Sequence, residues 1–351
     1  MPKAKYHHRI PQTYMRAWGE NVWVYDKKTC TSDRRNIDTI MGHKFFHSIK
    51  AGSIFQTTHS LDCIFGCLDN YSVYFVDNGG LKTVLDSKEK LNQYWYAHDN
   101  WIIEDGAGKA LSNKQKNVLI TTVSQAVDNT IEDEWSSKFE NDWAKIISEI
   151  YNCLREIHSG KEITLTSEAF DTILRYYVMF QWRSYAGYEE ARKAFELLMD
   201  IVPEIRDMEI EKPVHKEDKT ISDELWHELL LSSYYKYLHG SGVMQKHYEA
   251  YREKLTLLVM LDFSENLITS DVPCFEHMQN NGYREPLFVA LPGLLISLAQ
   301  KDPDAPNSYR IKELTKKDVE SYNKIIFKFG NVIVSKTELD ASKYVSDQGE
   351  D

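Results

Sequence analysis

From residue 123 to residue 158 the chain contains neither proline nor glycine. Within that run Ile131, Trp135, Phe139, Trp143, Ile146, Ile147 and Ile150 recur mostly at steps of three or four, the period of one helical face. The run opens a helical stretch from about 115 to 255. Further helices are expected over 166–184, where Thr166 or Ser167 caps; over 188–201, stopped by Pro203; and over 222–238 and 243–254. The charged, proline-containing segment 209–219 reads as a loop. The flanks read differently. Before the stretch come a helix over 11–18, started by Pro11 and closed by Gly19, and a strand over 22–25. A strand over 72–76, a DNGG turn and a Ser87-capped helix over 87–96 follow. After the stretch, 255–261 and 266–269 read as a hairpin around 262–265. Strands over 286–291, 294–298 and 331–335 and a Thr315-capped helix over 315–329 complete the chain.

The expected class is therefore α+β and helix-dominated, with a small mixed or antiparallel sheet formed by N-terminal and C-terminal strands. The expected organisation is a 1–114 α+β segment packing on the C-terminal strands, a 115–255 helical region, a 256–339 β-rich segment with its closing helix, and a frayed tail at 340–351. A length of 351 residues suits two domains or one large one. With 21 Tyr, 14 Phe and 8 Trp the chain can bury a sizeable core, which excludes general disorder.

The formal net charge is −11, unevenly spread. Residues 1–50 hold ten Lys/Arg against four acids, a local +6, so the remainder carries −17. The whole surface repels a long nucleic acid, while the first fifty residues can attract an anion or form a solvated basic edge. Five cysteines with no CxxC pair argue against a structural zinc site and fit a reduced, cytoplasmic setting. No apolar leader opens the sequence. The most apolar later run, 287–299, has thirteen residues and an internal proline, too short for a bilayer. The chain contains no GxGxxG, GxxxxGK[ST], HExxH or GxSxG motif.

Four polar segments stand at unusual places. In KYHHRIPQTYMR, His7 and His8 precede a proline-started helix that contains Arg16. A helix start favours anions, and either histidine can supply a proton donor or a metal nitrogen, or can simply pack. Alternation along an extended chain points the two rings to opposite faces. In QWRS, Gln181 continues the apolar stripe Phe170–Leu174–Tyr177, so it is expected to be buried and hydrogen-bonded to backbone or to the Thr269–Asp271 turn. Arg183 suits a carboxylate or phosphate. In ITSDVP, Thr269, Ser270 and Asp271 end a strand, and Asp271 can be a base, a metal ligand or a turn former. Glu132 and Glu140 lie about 12 Å apart on one helix, too far to share an ion. The aromatic residues between 6 and 18 predict that this segment is buried against the C-terminal strands.

KYHHRIPQTYMRAW followed by NVWVYDKK resembles the opening of the bacterial family catalogued as domain of unknown function 4238. IEDEWSSKFE, FQWRS, LITSDVP, FVALPGLLISL and YNKIIF follow in the family's order, over about 5–330. The sequence departs from the family pattern at Ser184 and at Ala290–Gly293. The resemblance implies that His7, His8, Arg16, Glu140, Gln181, Arg183, Ser270, Asp271 and Asn323 converge, and it suggests a bacterial or phage-borne, defence-related setting. A His/Arg/Gln/Asp pocket suits phosphoryl or glycosyl chemistry. The leading expectation is a hydrolase, such as a nuclease or a nucleotide hydrolase, acting on nucleic acid or a nucleotide. His8 moves the proton, Arg183 neutralises the anion and Asp271 orients His8 or holds a divalent metal. The alternative is a non-catalytic sensor of a phosphorylated ligand or protein partner. No membrane association is expected.

Overall fold

The computed structural model of the chain describes residues 6–44, 46–155, 167–183, 189–216, 218–278, 282, 284–300 and 310–345. The expected cap Thr166, the departure at Ser184 and the end of the tail lie outside these residues. Helices and several small sheets give an α+β fold. The chain divides into two compact units. An inserted unit holds Lys44–Asp133 and Lys193–Tyr235; a terminal unit holds Tyr6–His43, Glu134–Arg192 and Lys236–Asp351. The expected sequential segments are thus interleaved between the two.

The terminal unit is built on two larger sheets. One has the order Cys274–Met278, Arg284–Leu291, Leu294–Gln300, Leu255–Leu261, Arg310–Glu313. Its neighbours are antiparallel except the last, which runs parallel to Leu255–Leu261. Leu287 to Ala290 are all buried, as are Leu294 to Ile296, so these strands read as continuous apolar runs covered on both faces. The other sheet is antiparallel, with the order Thr31–Asn36, Asn21–Asp26, Val332–Ser335, Thr269–Ser270. It joins N-terminal to C-terminal strands as expected, and Val22 and Val24 face its core. Tyr14 sits at the centre of an aromatic cluster, 4.8 Å from Phe180 and 5.1 Å from Trp18 between ring centres. Its hydroxyl donates to the Val289 carbonyl and meets Thr269 Oγ1, both at 2.6 Å, while Trp18 Nε1 donates to Leu267 O. The N-terminal segment is therefore packed on the C-terminal strands.

Three expectations about elements are corrected. Residues 266–269 do not form a hairpin with Leu255–Leu261. The Asp262 carboxylate accepts from the Ser264 and Asn266 amides and turns the chain, and the next strand, Thr269–Ser270, pairs in the other sheet. The long 123–158 helix is broken. Asn113–Gln125 ends at an extended Ala126, Asp128 makes a bridge with Ile49, and the Asp128 carboxylate accepts from Thr130 N and Oγ1 where the next helix, Thr130–Trp135, begins. Pro203 does not merely stop a helix; it opens the short helix Pro203–Arg206.

The inserted unit has its own core. Ile64, Phe65, Val73, Trp101, Ile103 and Val123 are among its buried residues. The antiparallel sheet Lys82–Val84, Ser72–Val76, Trp101–Glu104 belongs to it. Among the described residues no helix is long and apolar enough to cross a membrane.

Candidate functional site: a charged cleft in the terminal unit

Asp271 follows the Thr269–Ser270 strand, and Val272–Pro273 lead the chain away from the sheet in extended form. The Ser270 hydroxyl accepts from Val272 N at 3.1 Å and so rounds the corner. Asp271 Oδ1 then accepts from the amides of Asn331, at 2.8 Å, and Val332, at 3.2 Å. Gly330 permits this approach: a Cβ there would stand 2.3 Å from the Ser270 Cβ. Burial pushes the Asp271 carboxyl above its ordinary value, against the lowering pull of those two amides and of Lys27. Lys27 is pushed down by its own burial, with Asp271 pulling the other way. Its ammonium donates to Lys328 O and lies 4.7 Å above the Phe327 ring.

Asp271 opens into a cleft of about 500 Å³. Arg9 and Lys28 bring positive charge to its wall, and Asp26 a second carboxylate. Asn331 adds a polar group; Ile10, Met41 and Val332 make the apolar part. Asp26 ends its strand opposite Val332, and Asp271 N donates to Val332 O, so the two carboxylates flank Val332 in one line. The strands bearing them are about 10 Å apart, two sheet spacings. Asp26 Oδ1 accepts from Lys28 N at 2.8 Å, which sets the turn that carries Lys28.

The remaining expected site residues are placed around this cleft's scaffold. His8 ends the strand Tyr6–His8, and its ring lies against Gly42 on the cleft wall: a Cβ on Gly42 would be 3.1 Å from His8 Cε1. The His8 Nδ1 meets the Ile40 carbonyl at 3.1 Å, and a carbonyl only accepts, so Nδ1 carries the proton. Nε2 then accepts from the Gln12 amide at 2.9 Å. Both ring nitrogens of His8 are thus engaged by protein groups. His7 is fully buried on the same strand.

Arg183 ends the helix Ser167–Arg183 and is buried. Its Nη1 donates to Glu140 Oε1 at 2.8 Å and its Nη2 to the His8 carbonyl at 2.5 Å, and the guanidinium lies 5.2 Å above the Trp135 ring. Glu140 is the last residue of the π-helical turn Ser136–Glu140, whose Phe139 carbonyl accepts from the Tyr176 hydroxyl. The extra residue of that turn rotates Glu140 inward toward the arginine. Glu140 and Arg183 thus come together on the main chain of His8, immediately before Arg9. Neither lines the cleft around Asp271.

Gln181 is buried as expected; its amide donates to the Tyr177 hydroxyl at 3.0 Å and reaches Tyr251 at 3.5 Å. Thr269 is taken by Tyr14. Asn323 is a brace, accepting from Ile268 N and donating to Asn266 O where strand pairing is missing. Arg16 is exposed and 3.5 Å from Glu20. In the inserted unit Glu132 pairs with His47 at 2.6 Å.

Sequence reasoning missed Arg9, Asp26, Lys28 and Asn331 as cleft residues. The charged run Asp26–Lys27–Lys28 directly after a strand, and Gly330–Asn331 directly before one, were the signals available. No curated protein and no solved structure matches the chain. The family model described as protein of unknown function (DUF4238) matches residues 6–337, nearly the whole of the sequence, and the chain belongs to that family.

Proposed function

We propose that the Arg9–Asp271 cleft binds a phosphorylated small molecule of mononucleotide size and hydrolyses it, with Asp271 as the proton acceptor. The observation that carries this reading is a carboxylate raised by burial, held through one oxygen by two backbone amides, in a cleft that also presents Arg9 and Lys28. A volume of about 500 Å³ suits a small-molecule ligand, and net charge −11 disfavours a long nucleic-acid track. In the reaction a water oxygen bonds to phosphorus as its proton passes to Asp271, and the bond to the leaving oxygen breaks. Arg9 and Lys28 offset the charge that builds on the phosphoryl oxygens.

The second reading is a sensor that binds the same ligand without turnover. It is favoured by one observation: the hydrogen bonds of the His8 ring and of the Arg183 guanidinium run to protein groups, leaving Asp271 as the one expected acid–base residue at the cleft. The test is a panel of nucleoside mono-, di- and triphosphates, NAD and short oligonucleotides, assayed for turnover and by calorimetry with and without Mg²⁺ or Mn²⁺. Asp271→Asn keeps the volume and an oxygen for the two amides. It should lower turnover by about 10²–10⁴ and leave binding within a few-fold. Binding without turnover in the wild type replaces the hydrolase with the sensor. No binding of any phosphorylated compound removes both.

A further inference from the structure

We propose that Met41 is a specificity-determining residue of the Asp271 cleft, and that the ligand it selects is a nucleotide whose base lies against it. This rests on the phosphate reading given above and adds what the rest of the ligand is. Met41 lines the cleft and has a left-handed backbone, with φ 55°. Glycine takes that conformation without strain; a long side chain takes it only where its surroundings over-determine it. Here they do so through two residues adjacent in sequence. His8 Nδ1 donates to the Ile40 carbonyl at 3.1 Å, and Arg9 N donates to the Met41 carbonyl at 3.1 Å. The His8 ring also fills the space beside Gly42, where a Cβ would stand 3.1 Å from Cε1 and 3.3 Å from Nδ1. Residues 40, 41 and 42 are thus pinned in succession by His8 and Arg9. Glycine stands at 42, where space demands it, and methionine at 41, where the dihedral would favour glycine. Among the described residues, Cys30 and Glu265 are the other non-glycine residues with positive φ, and neither lines the cleft.

The chemistry of the cleft points to what such a side chain is kept for. Asp26, Asp271 and Asn331 come from the strand ends of one sheet, whereas Ile10, Met41 and Gly42 come from the segments around His8. Ile10 is 1% exposed and belongs to the core. Met41 is only half-buried, so it is the apolar side chain of those segments that a ligand can meet. A sugar phosphate is polar all round and gives that side chain nothing to cover. A nucleobase is apolar on its two faces, and the unbranched, polarisable thioether of methionine suits an aromatic face. The bonds that pin residues 40–42 run through main-chain carbonyls, so the Met41 side chain can be exchanged without removing one of them.

The experiment is calorimetry of the full chain with AMP, GMP, CMP and UMP, with the four matching nucleosides, and with ribose 5-phosphate. The variants are Met41→Gly, Met41→Asn and Met41→Leu, with melting temperature as the control for folding. Gly and Asn are at ease at positive φ, so they remove the apolar side chain and keep the backbone; Leu keeps the apolar bulk. In the wild type at least one nucleotide should bind about tenfold or more tighter than ribose 5-phosphate. Met41→Gly and Met41→Asn should erase most of that margin and leave ribose 5-phosphate within about twofold, while Met41→Leu restores nucleotide binding to within about threefold. A merely structural role would move stability and leave the margin untouched. Ribose 5-phosphate binding as tightly as every nucleotide overturns the proposal and keeps the phosphate reading. A margin that survives both Gly and Asn overturns it too, because the base is then held elsewhere. Nucleosides binding as tightly as nucleotides, and weakened by Met41→Gly, would fail the phosphate reading and keep Met41 as the base contact. No binding of any of these compounds overturns both.

Discussion

Both units bury charge, and they settle it in opposite ways. In the terminal unit Arg183 keeps its charge: Glu140 lies at 2.8 Å and the His8 carbonyl at 2.5 Å. In the inserted unit two buried histidines stack on each other. His215 lies 3.9 Å from His227 between ring centres. Both nitrogens of His227 meet protein oxygens, Asp218 Oδ2 at 3.1 Å and the Phe46 carbonyl at 2.7 Å. Burial, then the neighbouring His227 and Lys50, drive His215 well below its ordinary value, to the neutral form. Glu228, 4.0 Å from His215, is pushed up by burial to about 7. One unit holds its buried charge by geometry, and the other discards charge by moving protons. The first arrangement is indifferent to pH near neutrality and intolerant of losing a partner. The second tolerates substitution and responds to pH.

The largest effect should come from breaking the paired arrangement. Arg183→Met removes the buried donor shared by the Glu140 carboxylate and the His8 carbonyl. The expected loss is about 3–5 kcal/mol in unfolding free energy, read from denaturant midpoints. A loss under about 1 kcal/mol would mean that the pair is solvated in solution and that the contrast between the units is wrong.

Next comes Glu228→Gln, which tests the proton-moving arrangement. The folded-state value is raised from 4.5 to about 7, so the fold prefers the neutral carboxyl. Its contribution is fully present below 4.5 and is lost as the pH rises through about 7. The wild type should therefore lose about 3 kcal/mol from this group between pH 4.5 and pH 8, and the variant should not. The glutamine keeps an acceptor for the Phe55 amide, which Glu228 Oε2 now holds at 2.7 Å. Unfolding curves of both proteins at several pH values check this; parallel pH profiles would refute it.

A smaller effect is expected where a buried group is neutral to begin with. Tyr14→Phe removes a hydroxyl that donates to the Val289 carbonyl and accepts from Thr269. The expected loss is about 1–3 kcal/mol with no dependence on pH between 5 and 8. Any pH dependence would show that the phenol is coupled to a titrating neighbour, and the distinction between charged and neutral burial would need redrawing.

How much of this was legible in the sequence follows from how local each cause is. Leu255–Leu261 and Ser72–Val76 were readable to the residue because an apolar or β-branched run carries its own signal. The capping box at Thr315 and Asp318 was likewise local, with both reciprocal bonds present. Thr31–Asn36 was invisible: TSDRRN has no apolar alternation, and it is a strand because Asn21–Asp26 offers it an edge. The break at Ala126 depends on Ile49, far away in the chain. At the site, the motif residues were legible as a set, and their partners were not. Gln181 was read as buried, but its amide goes to Tyr177 and Tyr251 and not to the expected Thr269–Asp271 turn, and nothing in QWRS says that Arg183 grips the main chain of His8. Asp271 reached the cleft with neighbours that the motifs did not name, because Arg9, Lys28 and Asn331 arrive through strand register.

The smallest effect is predicted for the arginine that looks most heavily paired. Arg206 bonds Asp200 and Asp207, and its charge is strengthened by both. Yet all three side chains face solvent, where water and salt screen the attraction and ordering long side chains offsets what remains. Arg206→Ala is expected to leave the melting temperature unchanged within error, and to do so equally at low and high salt. Arg183, buried against Glu140, should outweigh it because burial keeps solvent from screening the pair. A clear drop in melting temperature would show that the Arg206 bonds shape the protomer itself. Counting partners would then be a better guide to buried-charge energetics than the contrast between the two units allows.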